Sequence, residues 1–256
     1  MRSGRYDPDY GEPQWEHPYS QQGTEHHYGR DPYWDSVVRP RSKKAGLQFS
    51  ATEIRHLAIA TGLLTLVFGL SFQNVTIWNT SDFSLIGLAL SLFIALFAVA
   101  TGFLLHEMGH KYVAQRYGYW AEFRYNMIGL VIALGMALVL GWMFAAPGAV
   151  YIQGNVGKRE NGIISLAGPL TNLVLGILFF PVFYAGAATG VDMVALIGVY
   201  GMFINLFLGA FNLIPIMPFD GAKIWAWNPG VYILMAIVLG GPVLFIWFGG
   251  LGYLGW

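Results

Sequence analysis

The sequence predicts an all-α polytopic membrane protein with about five transmembrane helices plus a re-entrant or hairpin segment carrying short β-strands. Three observations predict it. The chain of 256 residues is 55% hydrophobic and only 11% charged, against about 25% charged in soluble domains. The first 50 residues hold 7 of the 14 Lys and Arg and 7 of the 14 Asp and Glu, so the rest of the chain carries few charges. Apolar runs of about 20 residues, the length that crosses a hydrocarbon core as helix, recur along that body. The formal net charge is zero and gives no electrostatic reason for a nucleic-acid partner. The absence of cysteine excludes disulfides and thiolate metal sites.

Residues 1–46 are rich in Tyr, Pro, Gly, His and Gln without apolar periodicity, and they are expected to form a disordered N-terminal tail. His17, His26 and His27 read as part of that tail rather than as a metal site, and no apolar run there resembles a signal peptide. Arg39, Arg41, Lys43 and Lys44 stand directly before the first hydrophobic run. The positive-inside tendency therefore puts the N-terminus in the cytoplasm, with the cell membrane as the expected location. Residues 52–72 form the first candidate span, with Glu53, Arg55 and His56 near its interface. Residues 73–81 are polar and read as an external loop. A second run over 82–104 leads straight into His106, Glu107 and His110. A third, over 127–146, ends at Pro147-Gly148. A fourth, over 163–188, is interrupted by Gly168-Pro169 and Pro181. A fifth, over 193–214, stops at Pro215 and Pro218, and a last covers 231–248.

His106-Glu107-Met108-Gly109-His110 is a His-Glu-x-x-His sequence. On a helix, positions i and i+4 share one face, so both imidazoles can bind one zinc ion while Glu107 serves as general base. Ionisable groups at membrane depth are costly and persist chiefly for function. A catalytic zinc needs a third protein ligand, and the candidates are His56, Glu122, Glu160, Asp192 and Asp220. His56 reads as interfacial, Asp192 as a helix N-cap and Glu160 as part of a solvated turn at 157–161. Asp220 follows Asn212-Leu213-Ile214-Pro215-Ile216-Met217-Pro218-Phe219, where two prolines break a membrane helix. A broken helix that delivers a carboxylate builds a site; a plain Asp-Gly turn is the competing reading.

His-Glu-x-x-His on an apolar helix, then Gly168-Pro169-Leu170-Thr171-Asn172, then Asn212-x-x-Pro215-x-x-Pro218-x-Asp220-Gly221, together resemble the site-2 protease family of intramembrane zinc metalloproteases. The resemblance covers roughly residues 85–225. It implies one Zn2+ per chain held by His106, His110 and Asp220, with Glu107 as catalytic base and Asn212 contacting substrate backbone. It implies regulated cleavage of transmembrane protein substrates within the lipid bilayer, by a membrane-embedded metalloprotease domain over 47–256. No PDZ-like insertion and no appended nucleotide-sensing (CBS-type) domain is read. The sequence does not fix the oligomeric state.

Depth supplies an independent check. If residues 127–146 crossed the bilayer, Asp220 would emerge about 30 Å from the histidines, which zinc bonds near 2 Å forbid. The segment is therefore expected to dip and return, leaving Lys158 and Arg159 cytoplasmic; a sixth ordinary helix is the competing reading, because the length would permit a span. Residues 147–152 have strand propensity. Through Val150 and Ile152 they could pair with an extended substrate by strand addition, or pair only within their own hairpin. Asn172 and Asn212 are candidate substrate-binding amides, or they tie off carbonyls freed by Pro169 and Pro215. A transporter or proton relay would also place His and Asp at broken helices. It leaves the i, i+4 histidines with an intervening Glu unexplained.

Overall fold

The computed structural model describes residues 5–6, 13–14, 47–73, 75–81, 83–141, 147–246 and 248. The expected tail therefore lies almost wholly outside the described residues. Within residues 1–38, which form a unit of their own, a two-residue antiparallel ladder joins β1 (Arg5–Tyr6) to β2 (Pro13–Gln14).

In the second unit, α1 (Ala51–Phe72) starts where Ser50 Oγ accepts the Glu53 N–H. α2 (Leu85–Val99) starts likewise at Ser84, whose hydroxyl accepts the Gly87 N–H. A π-helical turn, Ala100–Leu104, joins α2 to α3 (Leu105–Arg116), so 85–116 form one apolar rod of 32 residues. β3 (Trp120–Tyr125), α4 (Met127–Leu140) and β4 (Gly148–Gln153) follow. Then come the long helix α5 (Lys158–Thr189), α6 (Asp192–Asn212), the short α7 (Asp220–Trp227) and α8 (Pro229–Phe245).

Four of these segments are long and apolar enough to cross a membrane: Ala51–Phe72, Leu85–Arg116, Lys158–Thr189 and Asp192–Asn212. Their surfaces agree. Leu85, Ile86, Ile177 and Tyr184 are more than half exposed, which water would penalise and lipid does not. The protein is an integral membrane protein. The expected last span is shorter than its apolar run, 17 helical residues ending at Phe245.

β3 and β4 pair antiparallel over their full length, from Trp120 opposite Gln153 to Tyr125 opposite Gly148. The Asn126 N–H also donates to the Pro147 carbonyl at 2.8 Å. At the far end of α4, the Leu138 carbonyl accepts the Ile77 N–H from the loop after α1, at 2.8 Å. The chain thus leaves the sheet along α4, whose 14 residues rise about 21 Å, and is back at the sheet by Gly148. The expected strand is present, but its partner β3 was not read from the sequence.

Two further expectations are corrected. Gly168-Pro169 and Pro181 do not interrupt the fourth run; α5 is continuous through both prolines. Neighbouring groups can satisfy carbonyls that a proline frees in a membrane helix. Lys158, Arg159 and Glu160 are likewise the first turn of α5 rather than a separate solvated connection. α5 and α6 then pack as an antiparallel pair at close range. A Cβ on Gly198 would collide with the Phe183 backbone, and one on Gly186 with the Ala195 backbone. The main core, including Leu64, Phe68, Phe103, Phe123 and Ile204, fills the space between α1, the rod, β3, α4 and α6.

Candidate active site

α3 carries His106, Glu107 and His110, all buried. α5 crosses against the Nε2 side of the two imidazoles at Gly168, where a Cβ would collide with the Nε2 atoms of both rings. Only glycine lets the helices approach this closely. The third wall is the break between α6 and α7. Gly221 sits so near the Leu213 carbonyl that a side chain there would clash, and this tight fold places Asp220, the first residue of α7, against the imidazoles.

Each imidazole is oriented by a group behind it. His110 Nδ1 is 2.8 Å from the Ile164 carbonyl, which only accepts, so Nδ1 carries the proton. His106 Nδ1 contacts Asn172 Oδ1. The amide orientation of Asn172 is fixed by its Nδ2, which donates to the Gly102 carbonyl at 2.8 Å and to Asn205 Oδ1 at 3.2 Å. Asn172 Oδ1 is therefore an acceptor and His106 Nδ1 is the protonated nitrogen. Both Nε2 atoms are then bare lone pairs.

These lone pairs face one another at 3.0 Å. Asp220 Oδ2 lies 3.4 Å from His106 Nε2 and 3.0 Å from His110 Nε2. Three acceptors at such range, with no proton among them, call for a cation. A tetrahedral zinc with bonds of about 2.0–2.1 Å separates its ligand atoms by about 3.3 Å, close to the observed triangle. The donor set, two imidazole nitrogens from α3 and a carboxylate from α7, fits zinc. Asp220 Oδ1 faces Lys223 Nζ at 3.5 Å, which leaves Oδ2 for the metal.

Glu107 Oε2 is buried and has no hydrogen-bond partner among the described residues. It lines a cleft with the three ligand residues, Asn212, Lys223 and the β4 residues Gly148, Ala149, Val150 and Ile152. An orphaned carboxylate oxygen beside a triad of metal ligands is what a base awaiting a water molecule requires.

The remaining candidates separate cleanly. Asn212 lines the cleft and gives one N–H to the Leu208 carbonyl at 2.9 Å. Val150 and Ile152 also line it. Asn172 does not: it is fully buried, with Oδ1 on His106 and Nδ2 shared by two acceptors. Its expected contact with substrate is replaced by a role behind the metal. His56 accepts the Tyr125 N–H, Glu122 pairs with Arg124, Glu160 accepts from the Tyr119 hydroxyl, and Asp192 opens α6. Asn205 was missed. It receives Asn172 Nδ2 and donates to Thr101 Oγ1 at 3.1 Å, so it ties α6 to the π-turn that precedes the metal helix. Its only sequence signal was an amide within an apolar run.

Two imidazoles and a carboxylate around one cation position, with a buried glutamate beside them that keeps one oxygen unpartnered, define a zinc-dependent peptidase. Comparison with known proteins agrees. A Methanocaldococcus jannaschii protein whose name assigns it provisionally to the zinc metalloproteases is 40% identical over 205 residues, 78% of this chain and 97% of the relative. A second protein of that organism, named as a zinc metalloprotease, is 31% identical over 164 residues, 63% of this chain and 38% of the relative. A Bacillus subtilis protein, again provisionally named a zinc metalloprotease, is 32% identical over 137 residues, 48% of this chain and 63% of the relative. No family model matches the chain, and no solved structure does. The chain belongs to the zinc metalloprotease family of these relatives, and zinc is its cofactor.

Proposed function

We propose that the protein is an intramembrane protease of the site-2 type, which hydrolyses peptide bonds in or near the transmembrane segments of other membrane proteins. The observation that carries this reading is the location of the triad. His106 and His110 lie on the 32-residue apolar rod, and Asp220 follows the last turn of a second apolar helix. Substrates would be transmembrane proteins in the same bilayer, taken from the cell membrane, with this chain's N-terminus cytoplasmic. The return of 127–147 to the sheet supports five spans and one re-entrant hairpin, which keeps Lys158 and Arg159 on the cytoplasmic side.

Zinc held by His106, His110 and Asp220 supplies a Lewis acid that acidifies water and polarises a carbonyl. Glu107 Oε2, buried and unpartnered, takes the proton from the attacking water and returns it to the leaving amine. Asn212 directs its remaining amide hydrogen to the substrate carbonyl. The substrate, extended, pairs with the outer edge of β4. Phe123 and Tyr125 turn their N–H groups away from β4, towards α1. Their cross-strand neighbours Val150 and Gly148 therefore aim backbone groups at the opposite edge, beside the cleft. Glu107→Gln tests the reading: the variant retains about one zinc per chain and loses cleavage of a membrane-inserted peptide by about a thousandfold or more. Loss of zinc together with activity, or retained cleavage, overturns it.

A further inference from the structure

Outside the cleft lining, a second charged group is buried where none of the chemistry above uses it. Glu53, in the first turn of α1, and Lys111, the residue after His110, are both fully buried and paired with each other. Glu53 uses both oxygens: Oε2 takes the Lys111 ammonium, and Oε1 accepts the Phe123 N–H of β3 at 2.9 Å. Lys111 also sits over the Phe49 ring, 4.4 Å from its centroid.

As a device for stability this is a poor one. A buried ion pair recovers little more than its own desolvation, and apolar residues of equal volume pack as well. What apolar residues cannot provide is an acceptor for a strand-edge N–H. The outer edge of β3 is held at three points by helix side chains: Gln115 donates to the Ala121 carbonyl at 3.4 Å, Glu53 accepts from Phe123, and His56 accepts from Tyr125 at 3.4 Å. Phe123 stands opposite Val150, which lines the cleft with Glu107. One carboxylate thus joins α1, the metal helix and the sheet.

We infer that the Glu53–Lys111 pair is a positioning device that pins β3 to the metal helix through the Phe123 N–H. It leaves β4 as the edge beside the cleft and sets the height of that edge, whose Val150 N–H reaches Glu107. The inference rests on the strand-addition reading above. Glu53 and Lys111 are positioning residues; neither touches substrate.

Two neutral double variants separate this role from plain ion pairing. E53Q/K111M keeps an acceptor for Phe123, whereas E53L/K111M has none, and neither leaves a buried charge unpaired. Both are measured as full-length, zinc-loaded protein in lipid nanodiscs. Expected for E53L/K111M are one zinc per chain, faster amide hydrogen exchange in β3 and β4 but not in α3, and a KM for a transmembrane peptide raised about tenfold, the weight of one hydrogen bond, with kcat little changed. E53Q/K111M stays near wild type in exchange and KM. Equal behaviour of the two doubles overturns the inference.

Should E53L/K111M fail to fold, Glu53→Asp decides. It keeps the charge but is one methylene short of holding both partners, and it must show the same exchange and KM changes. A wild-type value in Glu53→Asp overturns the inference. If the wild-type protein cleaves no transmembrane peptide, the protease reading falls, and the exchange comparison still decides the clamp.

Discussion

Removal of the Asn172 amide is the most informative perturbation of the site. In Asn172→Ala three buried groups lose their partner together: the His106 Nδ1 proton, the Gly102 carbonyl and Asn205 Oδ1. Loss of such a partner behind a metal-bound imidazole weakens metal binding about 10–100-fold, or about 1.4–2.7 kcal/mol. The unsatisfied carbonyl and amide oxygen add a stability loss of about 1–3 kcal/mol each before relaxation. The assay is zinc affinity by chelator competition, alongside kcat and KM at saturating zinc. Affinity should fall by one to two orders of magnitude (about 10–100-fold), with most activity returning when zinc is added in excess. Asn172→Asp keeps an acceptor for His106 and should lose less zinc affinity, while losing stability because it cannot donate to Gly102. Wild-type zinc affinity in Asn172→Ala with a raised KM would refute the reasoning, because that is the signature of a residue that touches substrate.

Three further outcomes follow from the same geometry. Gly168→Ala puts a methyl group against both Nε2 atoms, and overpacking of about 1–3 kcal/mol should weaken zinc binding about 5- to 100-fold by chelator titration. Val150→Pro removes from the outer edge of β4 the N–H that reaches Glu107, without touching a metal ligand; zinc content should stay at one per chain while kcat/KM for a transmembrane peptide falls at least about tenfold. Lys158→Cys should react with an impermeant thiol reagent from the same membrane face as a cysteine placed before α1. Labelling from the opposite face would show that 127–147 crosses rather than returns.

The site was legible because its strongest signals are local. Two histidines one helical turn apart announce a metal without help from the rest of the chain, and the prolines around Asp220 mark a break that a membrane helix does not carry idly. The pairing of β4 back onto the sheet agrees with the parity reading, in which a returning segment lets Asp220 meet the histidines at one depth. β3 was not legible, although Ala121 and Phe123 are buried and alternate with charged Glu122 and Arg124; six residues between two helices give too short a pattern. Asn172 could be recognised as an intramembrane amide, but not as the support of His106, which lies 66 residues away in the chain. Glu53 and Lys111 looked like interfacial charges in their own neighbourhoods. Only the packing of α1 on the metal helix brings them together in the interior. The prolines of α5 misled for the opposite reason: a local rule of helix breaking yields when the helix is embedded among groups that complete its backbone.

X-ray absorption at the zinc edge of the purified, full-length protein tests the central claim most directly. The account predicts one zinc per chain with two imidazole nitrogens and at least one oxygen at about 2.0–2.1 Å, lost on substitution of His106, His110 or Asp220 alone. A zinc whose shell and occupancy are unchanged in Asp220→Ala would contradict it.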